Sequence, residues 1–197
     1  NLRGLLCTAS AAQALGNLEE AEKWDSEAAS YRAAIDQAWK QTGLPYFPPS
    51  WEKDGTHWGN TETLWPTELF PYDDSRVSAL IEEVRERHGG GFFEGTIRWL
   101  GGTTAKPRPP ESDAIHPYLS AYTTQALLIR GEHEKVVEDF CWYLLHSTAT
   151  HGFPEGILHK RRFAWSNTIP HATGAANYGL LLRHMLIHER GDELHLL

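Results

Sequence analysis

The sequence predicts an all-α fold, a set of antiparallel helical hairpins that forms part of a larger barrel. Three observations carry that expectation. Apolar residues recur at steps of three and four in several stretches. Stretches that are apolar around most of a helix alternate with stretches that are apolar on one stripe only. The turn from each inner helix to the next outer one is a few residues long, whereas each return is long.

The first inner helix covers residues 2–15, mostly uncharged and rich in small side chains, as expected of a helix buried all round. Gly16-Asn17 turns the chain; Asn17 caps the next helix and Glu20 completes a capping box. From residue 18 to about 40, Leu18, Ala21, Trp24, Ala28, Tyr31, Ile35 and Ala38 line one face and charges the other, so this helix lies outside. A second pair follows. Residues 61–70 are mostly uncharged, Pro71-Tyr72-Asp73-Asp74 turns, and residues 75–87 place Val77, Leu80, Ile81 and Val84 on one face. Gly89-Gly90-Gly91 reads as a C-cap and turn, because a phosphate cradle would need a preceding strand and a following Gly-Lys-Ser/Thr.

The third pair comprises residues 117–130, turned at Gly131-Glu132, and residues 133–146, with a stripe of Val136, Val137, Phe140, Cys141, Leu144 and Leu145. A last inner helix spans residues 172–188. Cys7 and Cys141 fall inside apolar helical patterns and read as small core residues.

With 197 residues, 41% of them hydrophobic and 22% charged, the chain can bury a real core. Residues 1–197 are expected to form a single partial barrel domain, a fragment of a longer catalytic domain. The chain opens on Asn1 already in a helical pattern, and it closes on Glu193-Leu194-His195-Leu196-Leu197 like the start of a further element. A net charge of -8, with no basic cluster beyond Lys160-Arg161-Arg162, argues against nucleic acid and anionic membranes as partners. No apolar run approaches the ~20 residues of a membrane span, and no signal peptide is visible, so the sequence reads as soluble with its compartment, cytoplasmic or periplasmic, left open. A carbohydrate or another small, weakly polar molecule fits as substrate.

The long connections are residues 42–60, 89–115 and 148–170. In an up-and-down array successive connections alternate between ends, so all three are expected at one end. Connections of this length are usually functional or disordered, and these are too aromatic for disorder. The first holds Tyr46, Phe47, Trp51 and Trp58; the second Phe92, Phe93 and Trp99; the third Phe153, Phe163 and Trp165. Glu52, Asp54, Glu62, Glu94, Glu111, Asp113 and Glu155 are interleaved with them. Flat apolar faces beside hydrogen-bonding groups suit sugar rings. A pair of carboxyl groups is what glycoside hydrolysis needs, one protonating the leaving oxygen while the other activates water or attacks.

Glu94 and Glu155 lead the catalytic candidates. Each is a lone acid flanked by Phe and Gly, where an apolar wall raises a carboxyl pKa toward that of a general acid. The competing reading makes each a helix cap or a partner of Arg98 or Arg161. Asp54 and Glu62 follow, as a base and a hydroxyl-binding acid; Glu62 opens an inner helix, where the helix dipole alone would also favour a carboxylate. Trp51, Trp58, Trp99 and Trp165 either stack on sugar or plug the loops against one another, and His57 is grouped with them. His171, with Asn167, begins the last inner helix at the loop end and either bonds substrate or caps that helix. His184 and His188 stand at i and i+4, but Met185 occupies the place of the zinc-protease glutamate, so they read as a structural pair and no metal site is assigned. No G-x-S-x-G occurs, which weakens a serine esterase reading.

Four runs resemble a known group of enzymes: Pro49-Ser50-Trp51-Glu52-Lys53-Asp54-Gly55, His57-Trp58-Gly59-Asn60-Thr61-Glu62-Thr63-Leu64-Trp65-Pro66, Gly152-Phe153-Pro154-Glu155-Gly156, and Ile169-Pro170-His171-Ala172-Thr173-Gly174-Ala175-Ala176-Asn177-Tyr178. They look like the C-terminal half of the six-hairpin, (α/α)6-barrel glycosidases, which include bacterial α-L-rhamnosidase-like and related glycoside hydrolases of carbohydrate metabolism. The resemblance implies an (α/α)6 toroid whose acid and base lie on loops where the inner helices begin. It also implies that a missing N-terminal segment carries part of the barrel and of the site.

Two other readings stand beside it. One is an ester or lactone hydrolase on the same scaffold, with calcium held by loop oxygens such as those of Asp113 and Glu111; otherwise no cofactor is expected. The other is a non-catalytic helical-repeat binding module, suggested by the tetratricopeptide-like turn Ala14-Leu15-Gly16-Asn17-Leu18-Glu19-Glu20-Ala21, although no period near 34 residues recurs. An incomplete barrel would leave apolar flanks exposed on residues 2–15 and 172–188, so self-association or a missing partner segment is expected.

Overall fold

The computed structural model describes residues 1–52, 55, 60–99, 114–165 and 169–196. Six α-helices are present among them: α1 (Leu2–Ala14), α2 (Leu18–Thr42), α3 (Ser75–Glu82), α4 (Pro117–Ile129), α5 (His133–Leu145) and α6 (Ala172–Leu186). Helix α1 packs on α2, while α4, α5 and α6 pack on one another. The Asn17 side chain accepts from the Glu20 amide to start α2, and Gly43 in the left-handed conformation ends it. Asp74 caps α3 through the Arg76 amide at 2.8 Å, and Pro117 supplies the first residue of α4, where its missing N–H costs nothing.

Helix α4 is the centre of the core, with Leu127 and Ala126 fully buried against Val77, Leu80, Val136 and Leu181. Two guanidinium groups tie the surrounding elements together. Arg76 reaches Asp74 and Asp36 and lies 4.5 Å over the ring of Phe70. Arg85 forks onto Asp139 at 2.7 and 3.2 Å, and Thr124 donates to the same carboxylate at 2.9 Å.

The expectation of an all-α chain fails. A five-stranded antiparallel sheet runs in the order β1 (Phe92–Phe93), β2 (Thr96–Trp99), β3 (Ala114–His116), β4 (Ile157–Leu158), β5 (Phe163–Ala164). A second hairpin pairs β6 (His188–Arg190) with β7 (Glu193–His195). The molecule is therefore mixed α and β. The strands arise inside the second and third long connections and after the last helix, where two to four residues give too short a run for period-two alternation to show. The tightest link has a legible cause: Glu94 and Gly95 both have positive φ, +49° and +67°, which is the two-residue type I′ turn that matches strand twist.

Residues 61–70 do not form an inner α-helix either. They contain a 3-10 turn, Asn60–Thr63, and then irregular turns. Pro66 removes an amide and steers Trp65 away from helical angles, so the chain closes instead through Glu68 N to Leu64 O and Leu69 N to Thr63 O. Leu64 and Phe70 nevertheless reach the core.

Helix α1 is not buried all round: only Leu2 and Ala9 are covered, and Leu15 beyond it is 86% exposed. The stripe expected on α5 is turned. Val136, Asp139 and Tyr143 face inward, whereas Val137, Leu144, Leu145 and Cys141 face solvent. An aspartate takes the inner face because Arg85 neutralises it there. Cys7 is exposed as well, so neither cysteine is a core residue. Among the described residues no helix is long and apolar enough to cross a membrane.

Candidate active site

The sheet lies where α4 begins, and two bonds fix it there. The Ile97 amide donates to Ser120 Oγ at 2.7 Å, joining β2 to the first turn of α4. The His171 amide donates to the Phe153 carbonyl at 2.7 Å, joining the segment ahead of β4 to the start of α6. Register pairs Phe92 with Ile97 and Ile97 with His116, and the Trp165 amide donates to Gly156 O at 2.8 Å. Glu155, just ahead of β4, is thereby held near the starts of α4 and α6.

Its surroundings are aromatic. The His116 ring, 1% exposed, meets the Trp165 ring at 4.8 Å and the Tyr118 ring at 6.4 Å; Tyr118 in turn meets His171 at 4.9 Å. Burial lowers the His116 pKa to about 4, outweighing the Glu155 carboxylate and backbone, which favour the charged ring. Burial also raises the Tyr118 phenol, and Glu155 adds to that. Glu155 thus neighbours a neutral imidazole and a protonated phenol. Tyr118 and His116 are the functional candidates that sequence reasoning missed. A signal was present: His116 stands immediately before α4 as His171 does before α6.

Glu94 occupies the tip of the β1–β2 hairpin. Its carboxylate lies 3.6 Å from His146 Nε2, and its carbonyl faces the same nitrogen at 3.2 Å. Burial lowers the His146 pKa, with Glu94 opposing. A Cβ on Gly95 would stand 2.8 Å from the Trp142 Cβ, so glycine lets the hairpin tip close onto α5. Glu94 lies on the turn between β1 and β2 and Glu155 just ahead of β4, and one strand, β3, lies between β2 and β4.

Glu62 sits on the 3-10 turn that packs on α3 and α4, and burial raises its pKa. Trp51 is half exposed in the first connection. The His171 ring caps α6, its Nδ1 accepting from the Gly174 amide at 3.1 Å, and its other edge adjoins Tyr118. Trp99 lies on β2, described by its backbone. Asp54, His57, Trp58, Glu111, Asp113 and Asn167 lie outside the described residues.

Among the described residues no group of three His, Cys, Asp or Glu side chains could hold a metal. His184 and His188 stack at 4.3 Å, and His184 bonds Gln125 at 3.0 Å. Burial lowers both rings, His184 to about 4. They line a cavity of ≈ 680 Å³ near the C-terminal end of α4, away from the sheet.

No family model matches the sequence, and no curated protein matches it. Solved structures do match in shape. A wild-type glycosidase superimposes with a TM-score of 0.64 at 17% identity, covering 92% of this chain and 48% of its own. A glycosidase carrying one tyrosine-to-phenylalanine substitution superimposes with a TM-score of 0.56 at 15% identity, covering 93% of this chain and 51% of its own. The chain therefore shares a glycosidase-like fold and spans about half the length of these structures.

Proposed function

We propose that residues 1–197 form a single partial barrel domain of a glycoside hydrolase of the six-hairpin kind, acting on O-glycosyl bonds with paired carboxylates. The observation that carries this reading is the position of Glu155 beside His116 and Tyr118, on a segment whose Phe153 and Gly156 carbonyls accept from the His171 and Trp165 amides near the starts of α4 and α6. Glu155 is the general acid. The buried His116 imidazole and the Tyr118 phenol are its neighbours. Glu94, in contact with His146, is the base that activates water. Trp165 and Tyr118 offer ring faces to the sugar, Trp51, Trp58 and Trp99 extend the platform, and Glu62, His57, Asn167 and His171 bond hydroxyls. Asp54 is the remaining carboxylate candidate.

The test is a screen of the full-length gene product on phenyl glycosides, whose leaving group needs protonation, with Glu94→Gln and Glu155→Gln beside it. Loss of roughly 100-fold or more in kcat for both variants is expected. Wild-type turnover by Glu155→Gln would end the assignment. Calcium-dependent cleavage of lactones with none of glycosides would replace the reading by the ester and lactone hydrolase.

A further inference from the structure

We infer that His116 is the positioning residue for Glu155, clamping the Glu155-Gly156 backbone from beneath so that the carboxyl group keeps its aim. The inference rests on the glycosidase reading for the role of Glu155. The clamp itself stands on geometry.

Gly156 is the first part of that geometry. A Cβ built there would stand 2.7 Å from His116 Cε1 and 2.9 Å from its Nδ1, so the imidazole lies directly against the glycine backbone. Any side chain at 156 would push the ring or the strand away. The second part is the ring's own confinement. Trp165 meets it edge to face at 67° and Tyr118 at 69°, and the residue is 1% exposed, so it has no free volume to yield into. The third part is the chain on either side of Glu155. Phe153 is tied to His171 by its carbonyl, and Gly156 to Trp165 by its own. Glu155 hangs between two fixed points, with the imidazole as the floor.

Chemistry explains why a neutral imidazole suits this place. A buried neutral ring supports the backbone without placing a charge beside the carboxyl group. A misplacement of about 1 Å in such a group costs about 100-fold in rate.

The experiment compares substrates with different demands for acid assistance. On the full-length gene product, kcat is measured for a phenyl glycoside and a 2,4-dinitrophenyl glycoside of the same sugar. Wild type, Glu155→Gln, His116→Leu and His116→Gln are compared. A dinitrophenolate leaves without protonation, a phenolate does not. His116→Leu is expected to lower kcat on the phenyl glycoside by about 10- to 100-fold and leave the dinitrophenyl substrate within about threefold, in parallel with Glu155→Gln, while His116→Gln recovers part of the loss. If Glu155→Gln discriminates between the substrates and His116→Leu lowers both alike, the positioning role falls and the glycosidase reading stands. If Glu155→Gln turns over both like wild type, the glycosidase reading falls.

A melting experiment tests the clamp without turnover. Gly156→Ala is expected to lower Tm by at least about 3 °C in the wild-type background and by less than about 1 °C in His116→Ala, because the clash partner is gone. Equal losses in both backgrounds overturn the clamp.

Discussion

The imidazole of His116 meets the indole of Trp165 edge to face at 4.8 Å, across the strand that lies between them. One residue ends β3 and the other follows β5, so the contact closes over Gly156 at the start of β4. Everything assigned to Glu155 depends on this packing.

The contact makes stability depend on pH. The folded His116 pKa is depressed to about 4, below the ordinary 6.5, so between these values the unfolded chain binds a proton that the folded one refuses. Stability is full above about pH 6.5 and falls as pH drops toward 4. The contribution of His116 is at most about 3 kcal/mol. Urea unfolding from pH 7 to pH 4.5 is expected to show a falling midpoint, with a shallower fall in His116→Gln. The fall persists in part, because His146, His184 and His188 are lowered by burial in the same sense. An unchanged slope in the variant would remove His116 from the account.

Glu94 sits in the left-handed region at φ 49°, at a turn position that Asn and Gly adopt with less strain. Glu94→Asn is expected to raise stability by about 0.5–1 kcal/mol in urea titrations and to abolish glycoside turnover. A variant that is both more stable and fully active would show that the carboxylate is not retained for chemistry.

Asp139 is fully buried and held by Arg85 and Thr124. Asp139→Ala leaves an uncompensated guanidinium in the core and is expected to cost about 3–5 kcal/mol. The double variant Asp139→Leu with Arg85→Met is expected to lose much less, which separates the penalty of an orphaned charge from the worth of the pair. Equal losses would place the effect in packing.

Leu15 and Leu186 are 86% and 66% exposed, on the flanks of the first and last helices. The isolated chain is expected to self-associate, visible by light scattering as a mass above that of one chain, and Leu15→Glu with Leu186→Glu is expected to shift it toward the monomer. A monomeric wild-type chain at high concentration would contradict this.

Much of the helical framework was legible in local terms. Asn17 and Glu20 announced the start of α2, and the spacing of Val77, Leu80, Ile81 and Val84 marked the buried side of α3. Caps and periodicity are written within a few residues, so a single sequence displays them. Residues 61–70 misled because a run of uncharged residues satisfies burial in a helix or in irregular turns alike, and Pro66 decides between them. On α5, hydrophobicity chose Val137 and Leu145, while burial chose Asp139, a residue whose cost is cancelled only by Arg85 from another element. The candidate site was legible to the extent that Glu94, Glu155 and Trp165 sit in aromatic connections and His171 directly follows one. Tyr118 was hidden among core helix residues, and His116 was marked only by its place directly before α4.

Apart from residues 61–70, the sequence by itself determined which segments become helices, where most of them start and turn, and which connections hold aromatic acids, because each depends on residues a few positions apart. Tertiary structure alone decided that two of those connections pair into one sheet. Strands of two to four residues carry no periodic signal, and their hydrogen bonds come from partners far along the chain. The same pairing set Gly156 on His116 and brought Trp165 across from it, contacts that exist only once β3, β4 and β5 lie side by side.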